Sequence, residues 1–301
     1  MRWSGSAVAA LFALCMFAGG VFAAETTPAP AGTAVAPAAT TAAPAAEAPK
    51  VEEPKVTGSF GVGAFNRYIF RGYELGQRSA VIQPTSTLSY RGFSATFWGN
   101  LDTRQHATQN FGSNDRQRSW NETDFTVSYT HNIGKLGLTG GYIYYGTKYT
   151  KETQEVFGSA AVDIIGHPTI TVNQDVAAYA GTYFNLSLSQ SQPIFKLPTG
   201  DVTVDLGASA GYFMGEGKYW RTYQSSTGDY TGKKYNALHD GMAKIGFTVP
   251  LGKGFTIQPV AQYWIPLSGK AHHNLIDGNS YQRNGAIDNT FVYGINLGFT
   301  F

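Results

Sequence analysis

The last thirteen residues constrain this chain more than any other stretch. In Asn289-Thr290-Phe291-Val292-Tyr293-Gly294-Ile295-Asn296-Leu297-Gly298-Phe299-Thr300-Phe301, nearly every odd position is large and apolar, and the even positions are mostly small or polar. A period of two over this length describes a strand with a different solvent on each face. About 9–11 residues suffice for a tilted strand to cross a bilayer. Tyr293, Ile295, Leu297, Phe299 and Phe301 in one phase, ending on the terminal aromatic, resemble the final strand of outer-membrane barrels. That likeness implies recognition by a barrel-assembly machinery.

Composition agrees. Only 14% of the 301 residues are charged, against about 25% in ordinary soluble domains. Low charge, with a formal net charge of +2, argues against wholesale disorder and against a nucleic-acid binder. No run approaches the roughly 20 apolar residues of a membrane helix beyond the leader. Apolar surface without apolar runs points to an all-β transmembrane barrel of antiparallel, up-and-down strands in outer-membrane lipid.

Residues 1–23 read as a signal peptide: Arg2, an apolar core from Ala7 to Ala18, then small residues before a cleavage point after Ala23. An uncleaved anchor is the alternative. Cys15, the only cysteine, lies inside this segment, so the mature chain would have neither disulfide nor thiolate metal site. Residues 24–55 hold six of the thirteen prolines and no aromatic residue, the composition of a disordered linker. It is either a periplasmic spacer or a tail without a partner.

Residues 56–301 form the barrel domain. Twelve strands are expected, near 58–71, 79–90, 93–104, 120–130, 136–147, 154–164, 168–175, 182–190, 202–214, 238–249, 255–266 and 289–301. Pro84 and Pro259 are expected to mark bulges. Short connections alternate with long polar ones at 106–119, 215–236 and 267–288, the asymmetry of outer-membrane barrels. An even strand number places both chain ends in the periplasm. A secreted β-sandwich would instead carry shorter strands with charged outer faces.

The segments Asn66-Arg67-Tyr68-Ile69-Phe70-Arg71-Gly72, Gln83 to Tyr90 and Gly92 to Asn100 resemble the TorF-type family of outer-membrane porins, over about the first 45 barrel residues. The family opens on a Tyr-x-Phe-Arg-Gly strand and later carries Gly-aromatic-x-x-x-x-Trp-Gly. Tyr73-Glu74 departs from its pattern, while Glu155 matches a position where the family tends to carry Glu. The resemblance implies a passive channel.

Catalysis finds little support. His131 and His167 fall in predicted turns, and His106, His272 and His273 in loops. His239-Asp240 sits at a strand mouth, where neighbours should face opposite ways. No nucleophile elbow or zinc helix is present, and no cofactor or metal is expected. The phase opposite the apolar one carries eight carboxylates (Asp102, Glu122, Asp124, Glu155, Asp163, Asp175, Asp205, Asp240) against Arg67, Arg71, Arg104 and Lys244. Of these, Arg67, Arg71, Asp102, Arg104, Glu122, Asp124 and Glu155 belong toward the external end. The arrangement is either a salt-bridge plug or a charged constriction. The functional expectation is a narrow, weakly cation-favouring channel for small hydrophilic solutes or ions. The alternatives are a non-conducting adhesion or scaffold barrel and, behind it, an outer-membrane hydrolase.

Overall fold

The computed structural model describes residues 55–76, 79–105, 118–148, 150–223, 227, 229–273, 275–276 and 287–301. The expected signal peptide and nearly all of the linker lie outside them. Alternation converts directly into architecture. Strands β1 (Thr57–Phe65), β4 (Val81–Tyr90), β5 (Phe93–Asp102), β6 (Ser119–Ile133), β7 (Leu136–Thr147) and β8 (Thr153–Val162) make one half of the wall. Strands β9 (Thr169–Asp175), β10 (Gly181–Leu197), β11 (Gly200–Gly215), β14 (Asn236–Gly252), β15 (Phe255–Pro266) and β17 (Thr290–Thr300) make the other. The twelve close into one antiparallel barrel, each paired with its sequence neighbour and β1 pairing with β17 from Ser59↔Thr300 to Phe65↔Gly294.

The outer face is apolar. Phe60, Leu88, Phe93, Phe125, Val127, Ile170, Leu186, Phe247, Phe291, Leu297 and Phe301 are all exposed. Trp120, Tyr129, Tyr263 and Tyr293 add aromatic rings to the same outer surface. Such side chains are stable there only against lipid. Ile295, midway along β17, is 39% exposed, whereas its neighbour Asn296 turns inward and donates to Gln258 Oε1 at 3.0 Å. Ile295→Arg should therefore cost about 2–4 kcal/mol in urea-refolding titrations, and Asn296→Arg much less. Equal sensitivity at the two positions would refute this facing.

Tight turns at one end use left-handed backbone at Arg91-Gly92, Gly134, Gly166-His167 and Lys253-Gly254. The other end carries the long connections. Between them, β12 (Arg221–Tyr223) pairs with β13 (Tyr230–Lys234) and with β16 (Leu275–Ile276), a small sheet built from two different loops.

Three expectations change. Pro84 and Pro259 make no bulges. Around each, one ladder skips two pairs and resumes in the same register, Ile82↔Leu101 to Thr85↔Trp98 and Gly246↔Val260 to Val249↔Ile257. The missing donor is thus a local loss that the neighbouring pairs bridge. Bulges fall instead at Pro193, Pro250, Asn100 and Ala210. The eighth strand runs on through the Pro193 bulge to Leu197. Most consequentially, the first strand stops at Phe65.

Candidate functional site: an inward hairpin in the loop end of the lumen

After Phe65 the chain leaves the wall and folds into the barrel. Ile69↔Glu74 and Phe70↔Tyr73 pair β2 (Ile69–Phe70) with β3 (Tyr73–Glu74), and Arg71-Gly72 make the turn with φ of 47° and 79°. Glycine suits the second position doubly. A Cβ there would also lie 2.8 Å from that of Asp240 on the wall.

The hairpin is held by apolar contact on three sides. Ile69 packs with Met242, Trp264 and Val292, with Phe65 against the cluster. Phe70 packs against Ile143, Tyr145 and Phe157, meeting the Tyr145 ring edge-on at 5.9 Å. Tyr73 adjoins Tyr183, Phe213, Trp220 and Tyr235. Most of these side chains come from the loop-end halves of wall strands, and Trp220 and Tyr235 from the loop between β11 and β14. Burial of each such side chain is worth about 1.5–3 kcal/mol, so a short hairpin outside the ladder is firmly seated.

Its tip carries the charge. The Arg71 guanidinium donates to Glu155 Oε1 and Oε2 at 2.8 and 2.7 Å, a bidentate pair nearly closed to solvent. Tyr145 donates to the same carboxylate at 2.9 Å. The guanidinium stacks over Tyr183 at 4.4 Å and Phe70 at 4.8 Å. Burial works against its charge, but Glu155 together with Tyr145 and Tyr183 outweighs this and holds Arg71 above its ordinary pKa. Arg67 pairs within the hairpin, to Glu74 at 3.2 Å.

The two arginines are therefore brought to the lumen, but by an inward loop and not by the phase of the first strand. Asp102, Glu122, Asp124, Glu155, Asp240 and Lys244 all point inward and are buried, as are Asp175 and Asp205. Asp102 accepts from Ser79 Oγ and from the Arg104 backbone N–H at 2.8 Å. Arg104 itself is exposed in the turn after β5, because that strand ends at Asp102. Asp163 is likewise outside the lumen, facing His167 at 3.4 Å in a tight turn. No described ion pair reaches Glu122, Asp124 or Asp175, and Asp124 Oδ1 is buried without a hydrogen-bond partner.

His239 and Asp240 do not face opposite ways. The β11–β14 register passes from Ala210↔Gly241 to Tyr212↔Leu238, so both residues stand opposite Gly211 and both turn inward. Gly211 leaves the room they need, since a Cβ there would collide with Asp240 Oδ1. Each is held by tyrosine: His239 Nδ1 meets Tyr235 Oη at 2.7 Å, and Tyr183 donates to Asp240 Oδ1 at 3.0 Å.

Toward the turn end the lumen changes character. Hydroxyl pairs bridge adjacent strands: Thr87–Thr96 at 2.9 Å, Ser89–Ser94 at 2.8 Å and Thr130–Thr139 at 2.9 Å. Asp205 accepts from Ser191 at 2.5 Å, Thr203 at 2.8 Å, Gln258 at 3.0 Å and from Thr248. Gln258 continues the network to Asn296.

Sequence reasoning missed the hairpin and its docking surface. The available signal was the loss of alternation near the loop ends, as in Tyr142-Ile143-Tyr144-Tyr145, or where Trp264 and Val292 break an otherwise polar phase.

No family model and no curated protein matches the sequence. Similar solved structures include CdiB from Acinetobacter baumannii, at 9% identity and a TM-score of 0.40, covering 82% of this chain and 60% of that one. Another is the anion-selective porin from Comamonas acidovorans, at 9% identity and 0.30, covering 83% and 99%. A third is the translocator domain of the autotransporter NalP from Neisseria meningitidis, at 12% identity and 0.32, covering 82% and 88%. The likeness to each is one of barrel fold.

Proposed function

We propose that this chain is an outer-membrane channel of low conductance for small hydrophilic solutes, with the hairpin 66–76 setting its constriction. The observation that carries the reading is the contrast along the lumen. A half lined by hydroxyls and amides around the Asp205 carboxylate leads to a half where the hairpin's Arg67 and Arg71 face an excess of carboxylates. Polar walls suit a hydrated path, and opposed charges across a narrow gap set selectivity. The resemblance of residues 66–100 to TorF-type porins supports the same reading. The barrel works without cofactor or catalysis, its partners being lipid, the solute and the assembly machinery that reads Tyr293 to Phe301. Both ends of the barrel wall, Thr57 and Phe301, then lie at the turn end, in the periplasm.

Reversal potentials across a KCl gradient in planar bilayers test selectivity. The wild type should favour cations, and Glu122→Gln with Asp124→Asn should weaken or reverse that preference. The difference should shrink in molar salt, where the screening length falls to about 3 Å. An unchanged reversal potential in the double variant would place these carboxylates off the conduction path.

The three apolar clusters around the hairpin favour a second reading, a permanently plugged barrel that presents its loops to a partner. A wild-type barrel that does not conduct, beside a hairpin-deleted one that does, would select it.

A further inference from the structure

Beside the docked hairpin, the loop end of the lumen keeps a cavity of about 170 Å³, the size of a small organic molecule. Aromatic rings make much of its wall: Phe70 and Tyr73 from the hairpin, Tyr145 from β7, Tyr179 from the β9–β10 connection, and Tyr219 and Trp220 from the following loop. The last three are fixed together. Tyr179 and Tyr219 meet edge-on at 4.5 Å, Tyr219 and Trp220 at 5.0 Å, and the Trp220 indole donates to the Tyr179 carbonyl at 2.8 Å.

The formal charge on this wall is negative by one, three carboxylates against two cations. Glu122, Glu155 and Asp175 line the cavity, with Asp124 beside them on β6. Against them stand Arg71, whose charge Glu155 already matches, and Lys151, exposed at the rim. These carboxylates are not arranged to grip a hydrogen-bonding ligand. Asp175 accepts from Thr153 at 2.6 Å and from the backbone of Ala177 and Tyr179 at 2.9 and 3.1 Å. Glu155 is held by Arg71 and Tyr145. A sugar or an amino acid would need directed donors and acceptors, which Asp175 and Glu155 already commit to their neighbours and which Glu122 shares with the Tyr68 hydroxyl. What remains is π-electron faces and a small formal excess of carboxylate in a largely enclosed space. That combination favours a cation that makes no hydrogen bonds.

We infer that this cavity binds a small alkylated ammonium ion. The inference deepens the channel reading by giving its outer mouth a preferred class of solute. Binding is measurable without conduction, so the two readings fail separately.

The test is titration of the refolded full-length barrel in detergent with tetramethylammonium, read by calorimetry and by tryptophan fluorescence. The neutral, similarly sized tert-butanol and the anion acetate are the controls. Tetramethylammonium should bind about tenfold more tightly than tert-butanol, the difference a desolvated cation–π site supplies. Acetate should not bind. Tyr219→Leu should abolish the preference, Tyr219→Phe should retain it, and Glu122→Gln should weaken it. Heat-modifiable migration in gels checks folding, and should Tyr219→Leu fail that check, the other two variants decide. Equal binding of tert-butanol, or an undiminished preference in both Tyr219→Leu and Glu122→Gln, would overturn the assignment and leave an apolar void only.

Discussion

Replacing residues 67–76 by a short Gly-Ser connection should raise single-channel conductance several-fold while the barrel still assembles. The expectation follows from register. β1 pairs with β17 and with β4 through Thr57–Phe65, and β2 and β3 pair only with each other. The deletion thus removes no backbone hydrogen bond of the wall ladder. It removes Tyr68, Ile69, Phe70, Arg71 and Tyr73 from the lumen, of which Tyr68 and Ile69 are each only 8% exposed. The vacated surface around Ile143, Phe213 and Trp264 would be wetted, lowering stability without opening the ladder. Planar-bilayer recordings, with heat-modifiable migration as the folding control, give the answer. A folded barrel with unchanged conductance would mean that the constriction lies elsewhere.

The second large effect is expected at the hairpin tip. Arg71→Gln leaves Glu155 buried beside Asp175 and Asp124 with no cation opposite, and breaking one side of a buried pair typically costs about 3–5 kcal/mol. The loss falls on docking of the hairpin, because neither the register of β7 with β8 nor that of β8 with β9 depends on Arg71. The variant should show frequent wide openings, and limited proteolysis should cut within residues 66–76. Adding Glu155→Gln should restore much of the closed state, since a neutral pair carries no stranded charge and Tyr145 can still hydrogen-bond to the amide. If the single and double variants gate alike, the hairpin is held by its apolar contacts and the ion pair is incidental.

The barrel was legible in the sequence because a wall strand declares itself locally. Side chains alternate between lipid and lumen, so Phe291, Tyr293, Ile295 and Leu297 reveal their face by chemistry alone. The same reasoning located Glu122, Asp124, Glu155, Asp240 and Lys244 on the inside, where they are. It failed where a residue's direction is not set by strand phase. Arg104 lies two residues past the end of β5, and alternation has no authority in a turn. His239 and Asp240 share a face because a bulge opposite Gly211 shifts the phase by one.

Asn66-Arg67-Tyr68-Ile69-Phe70-Arg71 continues the β1 pattern well enough to pass for more strand, and nothing local forbids it. What turns it inward is a surface that exists only after closure. β7, β11, β14, β15 and β17 come from distant parts of the chain, and only their closure gathers Ile143, Phe213, Met242, Trp264 and Val292 around a single space. Local chemistry thus determined the wall, its lipid face and the carboxylates of the lumen. Closure of the barrel decided where the first loop goes, which carboxylate its arginine meets and what cavity remains, because each depends on contacts between residues as far apart as Arg71 and Glu155.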